Sequence, residues 1–289
     1  MNDIPVRVDG TSGESDEDPI ARALGYPYPR HPGAVLFDPA TGSHPAHVVD
    51  IGPEREHAVA GVDRPLPARA VAVEAGGQTI EIDDAVALIA AGSNGSTVQL
   101  ARKWRSRRSA RPTLVAPAAI HGAVSVYSAH IAAYGSVPAT MHRAPSHGPD
   151  VRADLHVLLI PAEELGHMNA TESLGVNYVL AAPDGVSAVV DDVTVARPLA
   201  YVSKRGALAL QGEPALLPDT GGAATGYREV AQRDMIARVQ RHIGDTGSLE
   251  GFILGLIDDA ERRKAVTSRL AETAVPWRLE RDEILADGT

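Results

Sequence analysis

Two short stretches of this chain hold the residue types best suited to chemistry. They are the loop Gly92-Ser93-Asn94-Gly95 and the carboxylate Glu172. The loop follows the apolar run Val86-Ala87-Leu88-Ile89-Ala90-Ala91, which reads as a strand buried on both faces. After it, Ser96-Thr97-Val98-Gln99 has capping-box spacing, so a helix is expected to start there. A strand that stops in small residues and turns into a helix gathers backbone N–H groups at the positive end of a dipole. That arrangement suits an anion or a polarised carbonyl. Glycines at 92 and 95 would let a ligand approach the backbone closely, although the same residues serve a plain turn equally well.

Glu172 gains interest from its phase. Pro161 is placed as the first residue of a short helix, with Glu163 and Glu164 at its positive end. Leu165 and Met168 share a face, and a helix continued at about 100° per residue brings Glu172 within about 20° of Leu165. Burial disfavours the charged form of a carboxylate and readies it both to accept and to donate a proton. If the helix ends at Asn169, Glu172 is instead a solvated loop residue. Tyr127, Ser128 and His130, with Tyr134 close behind, are further candidates for the lining of the same pocket. Strand-edge packing is the alternative for them.

The elements that must position these groups fall into regions. Residues 1–30 read as a mobile acidic arm, most clearly over 8–19, and residues 31–83 as β-rich. Within the second region Gly76-Gly77 marks a hairpin. A core over 84–182 has further strands expected near 113–120, 122–127 and 155–160, and at Tyr178 to Ala182. Residues 183–289 continue with strands at Val186–Val190 and Leu199–Val202, then helices over Arg228 to Ile243 and Leu249 to Ala274.

Taken together, three segments resemble the γ-glutamylcyclotransferase-like fold family over about residues 84–180. They are Gly92-Ser93-Asn94 after its strand, Met168-Asn169-Ala170-Thr171-Glu172-Ser173, and Gly175-Val176-Asn177-Tyr178. Members carry a Tyr-Gly-Ser-Asn loop and, later, a Leu-Asp-x-x-Glu-Gly segment followed by a Tyr. Here Ala91 stands in place of the loop Tyr, and Met168-Asn169 in place of Leu-Asp. The resemblance implies an α+β fold: a mixed-sheet, barrel-like cyclotransferase-type core with a β-rich N-terminal extension and a helical C-terminal one. It also implies Glu172 as catalytic acid/base and substrate held by Gly92, Ser93, Asn94, Gly95 and Tyr178. The reaction would be attack of a free amine on a γ-glutamyl-type amide in the same molecule, with no metal or organic cofactor. A non-enzymatic module on the same fold, binding a small molecule or a protein, is the competing reading.

Composition narrows the partners. A formal net charge of -10 argues against a general nucleic-acid binder, which needs a basic face. The absence of cysteine removes disulfides, thiolate catalysis and Cys-ligated zinc. No basic-then-apolar leader and no apolar run of about 20 residues is present, so a cytoplasmic protein with no membrane partner is expected. Histidines 121, 130, 142, 147, 156 and 167 invite a metal, but none share the His-x-x-x-His spacing of one helical face. The basic run Lys103, Arg105, Arg107, Arg108 and Arg111 reads as a solvated helix end, or as an attractor for an anionic substrate at the adjacent loop. The Gly-rich stretch 221–226 lacks a P-loop Lys.

Overall fold

The computed structural model describes residues 17–60, 62, 64–143, 151–221, 225–277 and 282–288. The strands of the first half are β1 (Val35–Asp38), β2 (Gly42–Ile51), β3 (Arg55–His57), β4 (Leu66–Ala75), β5 (Gln78–Ala90), β6 (Thr113–His121), β7 (Val124–Tyr127) and β8 (Ala139–His142). Those of the second half are β9 (Arg152–Pro161), β10 (Tyr178–Ala182), β11 (Ser187–Val190), β12 (Val193–Val195), β13 (Leu199–Ser203) and β14 (Glu283–Ala286). The helices are α1 (Pro19–Leu24), α2 (Thr97–Lys103), α3 (Ala162–Thr171), α4 (Gln232–His242), α5 (Leu249–Asp258) and α6 (Ala260–Ala271).

Six strands close on themselves, all antiparallel, in the circular order β1-β2-β4-β5-β9-β6. The fold is therefore mixed α+β around a β-barrel. Closure removes the exposed edges that an open sheet of these strands would present. Alternation along each strand fills the interior. Ile82, Ala85, Ala87 and Ile89 of β5 meet Leu155, Val157 and Leu159 of β9 and Leu114, Ala116 and Ile120 of β6 there. The opposite faces of the same strands, with Val86, Leu88, Ala90, Leu158 and Ile160, pack outward on Leu100, Trp104, Leu165 and Met168 of the α2 and α3 region. This is why the run from Val86 to Ala91 is continuously apolar, its strand part ending at Ala90. The β4–β5 hairpin turns at Gly76 and Gly77, both with positive φ (58° and 77°), as a two-residue turn of that sense requires.

Past the end of β4, the edge of β5 is taken by β13 in parallel, Leu199 opposite Leu88, and β13 carries β10 and β14 outward. Strands β7 and β8 form a separate hairpin. Its Ser125 hydroxyl donates to the carbonyl of Ala91 and ties the hairpin to the loop after β5. Helices α4, α5 and α6 pack with the α1 region on a third cluster that includes Tyr127, Ile236 and Phe252. Among the described residues no helix is long and apolar enough to cross a membrane.

Several expectations are corrected. Residues 1–16 lie outside the described residues, but 19–24 are helical, capped by the Asp18 side chain, and Tyr26 and Tyr28 are buried. The arm therefore does not extend to residue 30. The boundary expected after residue 83 falls inside β5, because the apolar run marks where that strand becomes covered on both faces, not where it starts. The long C-terminal helix is two, broken at Asp259, whose carboxylate accepts the N–H groups of Glu261 and Arg262. The preceding helix begins at Gln232, not at Arg228. Pro161 is the residue before α3 and still pairs in β9.

Candidate functional site

A cavity of about 250 Å³ opens where the end of β5, the C-terminus of α3 and the β7–β8 connection meet. It is lined by Gly92, Ser93 and Asn94 of the loop, by Glu172, and by Lys103, Tyr26, His130, Tyr134, Tyr178 and Tyr201, among others. Glu172 and the 92–94 loop thus face one space. A larger and more open groove of about 880 Å³ lies elsewhere, among residues such as Arg30, His121, Arg152 and Asp191. Its charged groups do not converge with Glu172, so size does not decide where the chemistry sits.

Glu172 reaches the cavity by a route different from the expected one. Helix α3 ends at Thr171, and Glu172 is its C-cap, with its N–H bonded to the carbonyl of Asn169. Leu165 and Met168 face the core as expected, while the carboxylate is turned off their stripe into a polar setting. Its Oε1 accepts from Asn94 Nδ2 at 2.9 Å and from the ammonium of Lys103. The side chains of Lys103 and Glu172 are only 8% and 14% exposed, so the pair is largely desolvated.

The register of this pair is fixed by a clamp between α3 and the segment after α2. Glu164, buried in the first turn of α3, accepts from the Trp104 indole N–H at 3.4 Å and the Arg111 N–H at 3.3 Å, and pairs with Arg107 at 3.2 Å. At the other end His167 Nε2 meets the carbonyl of Lys103 at 2.8 Å. Two arginines of the basic run, Arg107 and Arg111, are therefore held by carboxylates, while Arg105 and Arg108 are exposed. Arg102 lies over the Tyr28 ring and pairs with Glu17, while Arg111 pairs with Asp84 and Glu163. Lys103 is the one member of that run that lines the cavity.

The loop itself is a 3-10 turn, Ser93–Gly95. Its Gly95 and Ser96 N–H groups close back on the carbonyls of Gly92 and Ser93, which uses two of the donors expected to meet a ligand. Gly92 is needed for packing: a Cβ there would lie 1.9 Å from the Tyr26 hydroxyl. That hydroxyl also accepts the N–H of Ala139 at 2.7 Å. The open approach expected at Gly92 is thus taken by a side chain of the protein.

Gly95 is directed away from the cavity, toward Arg30 and His156, and is not among its lining residues. Nor does the expected capping box form. Ser96 precedes α2, but its buried Oγ has no partner among the described residues, and Gln99 turns to the cavity and accepts from Arg102.

Tyr127 and Ser128, expected in the lining, are placed elsewhere. The Tyr127 hydroxyl donates to the carbonyl of Val230 at 2.6 Å, beneath the helical layer. Ser128 Oγ bonds Ser203 Oγ and meets His130 Nδ1, both at 2.8 Å, one step behind the wall. Tyr134 and Tyr178 do line the cavity. Tyr178 donates to the carbonyl of Ala139 at 2.9 Å, and Tyr201, unforeseen, donates to Asn169 Oδ1 at 2.7 Å.

Burial holds the phenols of Tyr134, Tyr178 and Tyr201 well above their ordinary range, and the Glu172 charge adds to the shift in each. They serve as neutral donors. Burial, with a smaller contribution from the Arg205 charge, lowers His130 to about 3, so it is neutral at physiological pH. Glu172 and Lys103 are then the only acidic residue and the only Lys or Arg in the lining. Among the described residues no group of three or more His, Asp or Glu side chains is arranged to hold a metal, and His147 lies outside them.

Comparison of the chain with protein-family models, with curated proteins and with solved structures finds no match in any of the three.

Proposed function

We propose that this cavity processes amides in the manner of the γ-glutamylcyclotransferases, with Glu172 as the proton shuttle. The observation that carries the reading is the meeting of Glu172 with the Gly92–Asn94 loop in one small, largely desolvated space, joined by the Asn94–Glu172 hydrogen bond. Asn94 and Glu172 are 78 residues apart in the chain and belong to two of the three segments that carry the resemblance.

In this reading the free α-amine of a bound γ-glutamyl-type amide attacks its own side-chain carbonyl. A C–N bond forms to give 5-oxoproline, and the original amide C–N bond breaks to release an amine. Oε2 of Glu172, which makes no hydrogen bond among the described residues, takes the proton from the attacking nitrogen and passes it to the departing one. A neutral phenol of the wall, with the Ser93-Asn94 part of the loop, would meet the developing oxyanion. Because ring closure occurs within one molecule, positioning supplies much of the rate. A cavity of about 250 Å³ suits a ligand of amino-acid or dipeptide size. Neither a metal nor an organic cofactor enters these steps.

The test is incubation with γ-glutamyl amines and assay of 5-oxoproline. Activity surviving Glu172→Gln at the wild-type rate sinks the mechanism, since an amide cannot carry the proton.

One observation favours a second reading, a small-molecule-binding module on the same fold. Tyr26 fills the space beside Gly92, so that glycine has a packing reason to be there without any chemistry. Saturable binding of a γ-glutamyl amine with no product over long incubation would select this second reading.

A further inference from the structure

We propose that Lys103 is the specificity-determining residue of this cavity, the anchor for a carboxylate carried by the substrate. This rests on the amide-processing reading and adds a selection rule to it. The cavity lining holds one Lys and one acidic residue, and they satisfy each other. A lysine is rarely this buried unless it is paired, and here the pair is built into the wall of a space large enough for a ligand.

A ligand with a single charge would have to draw off one partner and leave the other unpaired in a desolvated place, which is costly. A ligand with an ammonium and a carboxylate a few bonds apart exchanges both at once. Its carboxylate replaces Glu172 on Lys103, and its ammonium replaces Lys103 on Glu172. The exchange frees Glu172 Oε1 from Lys103 and brings the amine to be deprotonated against the group that deprotonates it. No arginine lines the cavity: Arg107 and Arg111 are held by Glu164, Asp84 and Glu163, the neighbouring Arg102 by Glu17, and Arg105 and Arg108 are exposed outside it. His130, neutral in the wall, offers no second positive charge.

The test is calorimetric titration of the full chain with L-glutamine and with 4-aminobutanamide, which lacks only the α-carboxylate. Wild-type protein is expected to prefer L-glutamine by about 30-fold or more, the scale of a buried charge pair. Lys103→Met should erase the preference, and Lys103→Arg should keep most of it. If Lys103→Met fails to fold, the double variant Lys103→Met/Glu172→Gln, which removes both charges together, gives the same readout.

Equal affinities in the wild type, no binding of L-glutamine, or a preference that survives Lys103→Met would each overturn the anchor. So would equal weakening of both ligands, the mark of a merely structural lysine. A parallel 5-oxoproline assay separates the two claims. Preference without turnover fails the reaction alone, and turnover without preference fails the anchor alone.

Discussion

Glu172 Oε1 accepts from Asn94 and from Lys103, so the carboxylate takes its charge partner from the basic segment that begins at the end of α2. A run of five basic residues does not reveal which of them turns inward: Arg107 and Arg111 pair with carboxylates, Arg105 and Arg108 are exposed, and Lys103 lines the cavity. Tyr26 carries no local signal, because it arrives from the segment after α1, well before Gly92 in sequence, to press on that glycine. That contact yields a direct prediction. Gly92→Ala should destabilise the fold by about 1–3 kcal/mol through overpacking, read as a lowered midpoint in chemical denaturation. An unchanged midpoint would mean that the Tyr26 hydroxyl does not press on Gly92. Tyr127 misled for the opposite reason. Its place in a strand beside Ser128 was legible, but the helical layer that captures its hydroxyl through Val230 lies about a hundred residues on in sequence.

At the scale of elements, period and turn chemistry served well wherever local forces decide. The Gly76-Gly77 hairpin, β6, β9, β10 and β13 lie where alternation and apolar runs put them. Short β8 and β12 escaped, since a strand of three or four residues has too few positions to show a period. Helix ends were the weakest part. Ser96 has the residue type of a cap but buries its hydroxyl unpaired, whereas Asp259, inside an amphipathic pattern, is the cap that divides α5 from α6. Asp259→Ala should therefore cost about 0.5–2 kcal/mol in equilibrium unfolding.

For the molecule as a whole, the regional division read from composition gives way to one barrel. Three of its six strands, β1, β2 and β4, precede residue 84, and the turn Gly76-Gly77 joins the two halves. A fragment spanning 84–289 should fail to give dispersed amide NMR signals, and a well-folded fragment would contradict barrel closure. Burial also shapes the acid response. His130 and His142 have folded values of about 3 and about 4, below the ordinary 6.5, mainly through desolvation. Their unfolded forms bind protons first as pH falls, so stability should decline from about pH 6.5 downward, toward pH 3–4, and be largest above that window. Replacing His142 with Gln should flatten the slope of unfolding free energy against pH between 4 and 6.5.

In the proposed reaction Glu172, held by Asn94 and Lys103 at the loop after β5, moves protons in intramolecular amide attack. Release of 5-oxoproline from a γ-glutamyl amine tests it most directly, with wild type and Glu172→Gln compared at equal folded concentration. The expected result is product from the wild type and a loss of about 10²-fold or more in the variant. No product from any γ-glutamyl amine, or equal rates in the two proteins, would contradict it.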